Sequence, residues 1–174
     1  MIFIKFMGGL LIVLSTTLMG FYYGKKYSSR LNNLIYMEQC IKILETEIVY
    51  GAVPLPEALV NVYNKGNKKV SFVFKEIKDH LLANRGGDVL DSFSYVINSL
   101  KEKLNFKKED IEMLISLGRV LGSSDREDQE KNFKFVLSQI AILEGEAKME
   151  RDKNEKMFKN LGILTGLTIV IILI

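Results

Sequence analysis

Two uncharged apolar runs bracket a long segment in which apolar positions recur at helical spacing among charged ones. The first run covers residues 6–24, FMGGLLIVLSTTLMGFYYG. At 1.5 Å per residue it spans roughly 28 Å, close to the ~30 Å hydrocarbon core of a bilayer. The second, residues 160–174, makes about 22 Å of helix, which is short for a span. Met157 and Phe158 lengthen its apolar face while Lys159 snorkels to the headgroups. A cleaved secretory signal competes for the N-terminal run, but the run is long for one and no clear A-x-A site precedes Lys25 and Lys26. A GPI-type tail competes at the other end, without the small-residue site and polar spacer it requires. Both runs read as transmembrane helices.

Between them, Leu34, Met37, Ile41, Leu44 and Ile48 alternate in steps of three and four, so one helix face is apolar over four turns. With no breaker from residue 25 to 50, the first span is expected to run straight into this helix. Gly51 in a left-handed C′ conformation and Pro54 would end it. Pro56 suits the first turn of a short second helix carrying Ala58, Leu59, Val62 and Tyr63, with Glu57 near its positive end. After the turn NKGN at 64–67, a third helix carries Val70, Val73, Phe74, Ile77 and Leu81. Asp88 is placed to N-cap a fourth, burying Val89, Phe93, Val96, Ile97 and Leu100. A break near Asn105 precedes a fifth with Ile111, Leu114, Ile115 and Leu117. The sixth carries Phe133, Val136, Leu137, Ile140 and Leu143, turns highly charged over 144–159, and enters the second span. The β-branched residues fall at helical spacings, and no hairpin signal separates alternating runs. Short connections favour antiparallel neighbours. The predicted fold is all-α: an antiparallel bundle of about six helices between two transmembrane helices, with boundaries at 1–24, 25–158 and 159–174.

Charge adds an orientation. Lys25, Lys26 and Arg30 follow the first span directly, and Arg151, Lys153, Lys156 and Lys159 precede the second; the outer flanks offer only Lys5 and the amino terminus. The positive-inside rule then puts the bundle in the cytoplasm and both termini outside. One cysteine, Cys40, allows no intrachain disulfide, which suits a reducing compartment. A net charge of +3 with both signs interspersed does not point to nucleic acid. The two basic clusters at the membrane edges fit attraction to anionic lipid.

Little in the chain carries reaction chemistry. With one cysteine and one histidine, a Cys/His metal site is excluded. His80 sits beside apolar positions as a packing or surface residue, and no Gly-Lys-Ser/Thr of a Walker A loop occurs. Glu45 and Glu47, two apart, diverge on a helix; a packing edge and a solvated or partner-facing side suit them better than a catalytic dyad. No cofactor and no enzyme activity are expected. The pairs Gly20/Gly24 and Gly162/Gly166 are GxxxG patterns, which let helices approach closely in lipid. They would serve pairing of the two spans, partner helices or a homo-oligomer equally.

The stretch LGRVLGSSDREDQEK, residues 117–131, looks at first like a ligand loop. Its glycines precede its acids, against a calcium loop, and its four acids repel a phosphate. It reads instead as a tight corner between two helices. Leu117 and Leu121 continue the buried stripe, Gly118 and Gly122 open one face to a neighbour, and Gly122 can end the helix. Ser124 with Glu127 forms a capping box, and Asp125 and Asp128 complement the positive end of the next helix. Asp125 with Gln129, on the acidic outer side, is the expected partner contact.

Three stretches together resemble the stage III sporulation protein AB family: LETEIVYGAVPLPEAL at 44–59, LGRVLGSSDREDQEK at 117–131, and the tail KMFKNLGILTGLTIVIILI at 156–174. Order, spacing and position agree along the whole chain. The resemblance implies a membrane protein of endospore-forming bacteria, made in the mother cell and held in the membrane around the forespore. It implies a cytoplasmic part similar to the helical domain of the type II secretion platform (F) protein, although only one such domain fits here where that protein usually repeats it. The implied role is a scaffold in a channel complex, with a secretion-type ATPase and other stage III channel subunits as partners. Two other classes stay open: a membrane-anchored adaptor for a soluble regulator, and an enzyme built on clustered carboxylates.

Overall fold

The computed structural model describes the backbone of residues 2–84, 88–121 and 126–173, with side chains from Met7 onward except those of 126 and 127. Among these residues there are seven α-helices and one π-helical turn, and no strand. They are α1 (Ile2–Glu45), the π turn (Thr46–Tyr50), α2 (Leu55–Lys65), α3 (Lys68–Ala83), α4 (Val89–Tyr95), α5 (Ile97–Leu104), α6 (Lys108–Leu121) and α7 (Arg126–Leu173). The chain divides into two compact units: Met1–Leu31 with Glu146–Ile174, and Asn32–Gly145.

The second unit is the helical bundle. The α1 stripe of Leu34, Met37, Ile41 and Leu44 is fully buried, as its spacing required. Leu59 and Val62 of α2, Val70, Phe74 and Ile77 of α3, and Phe93 of α4 join the core. So do Leu114 and Leu117 of α6 and Phe133 and Ile140 of α7. α2 packs on α3, and α4 packs on both α3 and α6. Caps define the helix starts. The Asn67 side chain accepts from Lys69 N–H at 3.0 Å, and Asp88 accepts from Leu90 N–H at 3.3 Å. Asp110, wholly buried, accepts from Lys107 N–H at 2.8 Å, the reverse arm of a capping box.

Three local expectations are corrected. The predicted fourth helix is two, α4 and α5, with the break at Val96. Ser94 Oγ donates to the Leu90 carbonyl at 2.9 Å, a back-bond that bends helices, and the β-branched pair Val96 and Ile97 stands at the break. Ile97, expected in the core, is exposed as a result. Gly51 is not left-handed (φ −81°); the positive φ falls on Ala52 (φ 50°). Gly51 serves close approach instead, since a Cβ there would stand 2.7 Å from the Glu47 carbonyl oxygen. The break near Asn105 lies where expected, with Asn105 left-handed at φ 56°.

In the first unit, α1 and α7 each carry an apolar stretch long enough to cross a membrane, and most of its side chains are exposed. Leu10, Leu14, Leu18, Leu164, Leu167 and Ile171 project outward. A soluble core helix would bury such residues, so the pattern is that of lipid-facing helices.

Candidate functional site

The most unusual backbone in the bundle lies at residues 45–55. α1 loses its regular hydrogen bonding at Thr46, and Gly51 N–H reaches back five residues to the Thr46 carbonyl at 2.9 Å. Val53 N–H then bonds the Glu47 carbonyl at 2.9 Å, with Ala52 left-handed between them. A π turn inserts one residue into a helix and recurs at functional sites; a left-handed alanine stores about 1–2 kcal/mol. Such strain persists only where the surroundings over-determine it. Pro54 and Pro56 supply part of that constraint by fixing φ across the entry to α2.

Glu47 supplies more. Its carboxylate accepts from Asn61 Nδ2 at 2.7 Å and Lys65 Nζ at 2.5 Å, which ties the π turn to α2. The Lys65 bond, then the Asn61 bond, hold this carboxyl below its usual range. Glu45 is different: it is half-buried, its carboxyl is pushed up by burial and by Glu130, and Lys134 and Lys42 oppose the rise. Lys134 is itself bonded to Glu130 at 2.7 Å. The two glutamates thus differ in kind: one is a brace, the other an acid beside the start of α7.

A shallow cavity of about 280 Å³ joins these parts. It is lined by Ile48, Ala52, Val53 and Leu55 from the strained segment, Leu121 from the end of α6 and Gln129 from α7. The structure therefore brings Gln129 and Leu121 beside 48–55, two stretches far apart in sequence. Asp128 sits one residue earlier, 3.8 Å from Lys131. Gly122, Ser124 and Asp125 lie outside the described residues, as does the side chain of Glu127, so the capping box and the Asp125 contact have no structural counterpart to report.

Gly118 packs within α6, where a Cβ would stand 2.5 Å from Cγ and 2.7 Å from Cβ of Phe93. Leu117 beside it is fully buried. In the membrane unit the two GxxxG pairs meet at Gly20 and Gly162. A Cβ on Gly20 would lie 2.5 Å from the Phe158 carbonyl oxygen and 3.1 Å from Gly162 Cα; one on Gly162 would lie 2.7 Å from the Thr16 carbonyl oxygen. A Cβ on Gly24 would come 3.1 Å from the Glu155 carbonyl, and one on Gly166 would meet Thr16 Oγ1. Thr16 Oγ1 donates to the Ile12 carbonyl at 3.0 Å, so this hydroxyl is satisfied within its own helix.

Sequence reasoning passed over the polar edge of this unit. Arg30 is 5% exposed in its side chain and pairs with Glu150 at 2.9 Å. Ser28 Oγ donates to Glu155 at 2.8 Å, and Lys159 reaches the same carboxylate at 2.7 Å. Tyr27 stacks on Phe158 with centroids 6.0 Å apart, and the Lys26 ammonium lies over the Tyr22 and Tyr23 rings. Phe21, Tyr22, Tyr23 and Tyr27 beside Lys25 and Lys26 form an interfacial aromatic belt, a signal legible in the sequence.

Reactive groups are few. Among the described residues, no three His, Cys, Asp or Glu side chains gather as a metal site would need. His80 stacks on Tyr95 at 4.4 Å and shares a hydrogen bond with Ser92 Oγ at 3.2 Å, so it joins α3 to α4. Cys40 is wholly buried, and burial pushes its thiol up to about 12. Folding favours the protonated thiol, so that contribution is complete below the unfolded value of 9.0 and is lost as pH rises toward 12. Maleimide labelling of the native protein near neutral pH should run roughly two to three orders of magnitude slower than labelling in denaturant. Equal rates would mean that the α1 face around Cys40 is open.

Comparison with known proteins covers the same ground from outside. The family model described as stage III sporulation protein AB matches residues 5–174. A relative named "Stage III sporulation protein AB", from Bacillus subtilis (strain 168), is 32% identical over 171 residues, 98% of this chain and 99% of that protein. A solved structure of "Stage III sporulation protein AB (SpoIIIAB)" aligns with a TM-score of 0.65 at 25% identity, covering 72% of this chain and 98% of that one.

Proposed function

The chain belongs to the stage III sporulation protein AB family, and from that premise we propose that it is a non-enzymatic platform subunit of a sporulation channel complex. Its two spans lie in the mother-cell membrane around the forespore, with both termini outside and the bundle in the cytoplasm. The acidic corner of Glu45, Asp128 and Gln129 docks a secretion-type ATPase, and the membrane hairpin meets other stage III channel subunits. One observation carries this reading: the strained segment at 45–55 and the start of α7 share one cavity. Glu47 braces that corner from within.

Copurification from sporulating cells tests it. The wild-type chain should retain the ATPase and channel subunits, and Glu45→Lys with Asp128→Lys should lose the ATPase about tenfold while still inserting in the membrane. Recovery of soluble regulators without channel subunits would replace the platform by an adaptor.

A mechanical role follows in the same proposal. α1 has no break over 25–30 and α7 none over 144–159, so movement at the corner can travel along either helix. Inserting Gly-Gly near Arg151 should impair sporulation without impairing membrane insertion. Unchanged spore yield would rule out rigid transmission.

A further inference from the structure

Two residues whose spacing assigns them to the core are not covered in the bundle: Ile97 is 37% exposed and Ile115 is half-buried. Both line one groove of about 850 Å³ along α5 and α6, with Ile111 also on its wall. Lys101, Lys108 and Arg119 stand around it. The acid there, Glu112, lies 3.4 Å from Lys108, but both side chains are largely exposed, so the pair is solvated and weak. The groove is apolar below and positive at its edge.

We propose that this groove receives an acidic amphipathic helix of a partner protein. An apolar floor calls for apolar side chains projecting into it, and a helix presents these at i, i+3, i+4 and i+7. A positive rim calls for carboxylates beside that apolar stripe, which also speed encounter and exclude basic competitors. A bilayer surface offers matching charge but is too flat to fill a concavity. The exposed Phe135 and Ile142 of a second copy are the competing occupant that the test distinguishes. The groove is separate from the acidic corner, and the proposal does not depend on what binds there.

The test uses the full chain in sporulating cells, with the photo-crosslinking residue benzoylphenylalanine in place of Ile115. The crosslinked peptide, sequenced by mass spectrometry, should come from another protein and show acidic residues flanking apolar positions at helical spacing. An adduct to lipid, an adduct to a second copy, a peptide of other character or no adduct would overturn the proposal. Lys101→Glu with Lys108→Glu, both on solvent-exposed sites, should lower the yield about tenfold. An undiminished yield would overturn the charge argument. Thermal melting of the purified variant separates lost docking from lost folding, and a second photo-crosslinker at Ile97 must capture the same peptide.

Discussion

Truncating Phe93 to alanine should destabilise the bundle by about 3–5 kcal/mol, a large share of the ~5–15 kcal/mol that holds an ordinary domain. Phe93 is fully buried and lies where α4 meets α6, directly over Gly118. Its loss leaves a cavity that the surrounding helices cannot wholly collapse. The partner change sharpens the test. Gly118→Ala gains up to ~1 kcal/mol of helix propensity but drives a methyl to 2.5 Å from the Phe93 ring, and overpacking of this kind costs about 1–3 kcal/mol. The sum should be a net loss. In the Phe93→Ala background part of that loss should vanish, since the Cγ and Cδ2 contacts go while the Cβ contact at 2.7 Å remains. Denaturant melts of the full chain in detergent, followed by circular dichroism, measure all three. A stabilising Gly118→Ala, as at an exposed helix glycine, would show that the contact is looser than described.

Gly162→Leu should separate the two spans. Atoms closest to a new Cβ there are the Thr16 carbonyl oxygen and the Gly20 Cα, both main chain, so no side-chain rotation can make room. The glycine seam is the close approach that pairs helices in lipid, where burial of apolar surface supplies no drive. A disulfide reports the pairing: a Cβ on Gly9 would stand 4.0 Å from Val170 Cβ, inside the ~3.5–4.5 Å range that a disulfide spans. Gly9→Cys with Val170→Cys should oxidise within one chain, while buried Cys40 stays silent. Adding Gly162→Leu should cut that yield about tenfold. A bond between two chains instead would transfer the seam to an oligomer.

Much of this was legible in the sequence, for identifiable reasons. Strong periodicity placed the α1 stripe and the stripes of α3, α6 and α7, because burial of one face leaves an unambiguous spacing. The GxxxG pairs declared close helix approach, though not which helix would approach. The split between α4 and α5 was hidden, since Phe93, Val96, Ile97 and Leu100 keep a helical rhythm that continues through the break. Glu47 was read as diverging from Glu45 on a regular helix, and the π turn changed its direction toward Asn61 and Lys65. Nothing in TEIVYGAV signals a π turn or a left-handed alanine, because neither has a residue preference strong enough to outvote tertiary packing. The meeting of Gln129 with Ile48 and Leu55 is a property of topology, outside the reach of local pattern.

The π turn also sets how this gene can change length. Removing one residue from 46–50 would let α1 close as an ordinary α-helix, because four residues at about 100° each turn the chain almost as far as five in the wider π turn. The proline-bordered entry to α2 would keep its direction, and the bonds from Asn61 and Lys65 would survive where Glu47 itself is retained. Substitutions can be absorbed at many exposed positions of the chain. In these five residues the fold can also absorb the loss of a single codon, which elsewhere in α1 would turn every later position by about 100°.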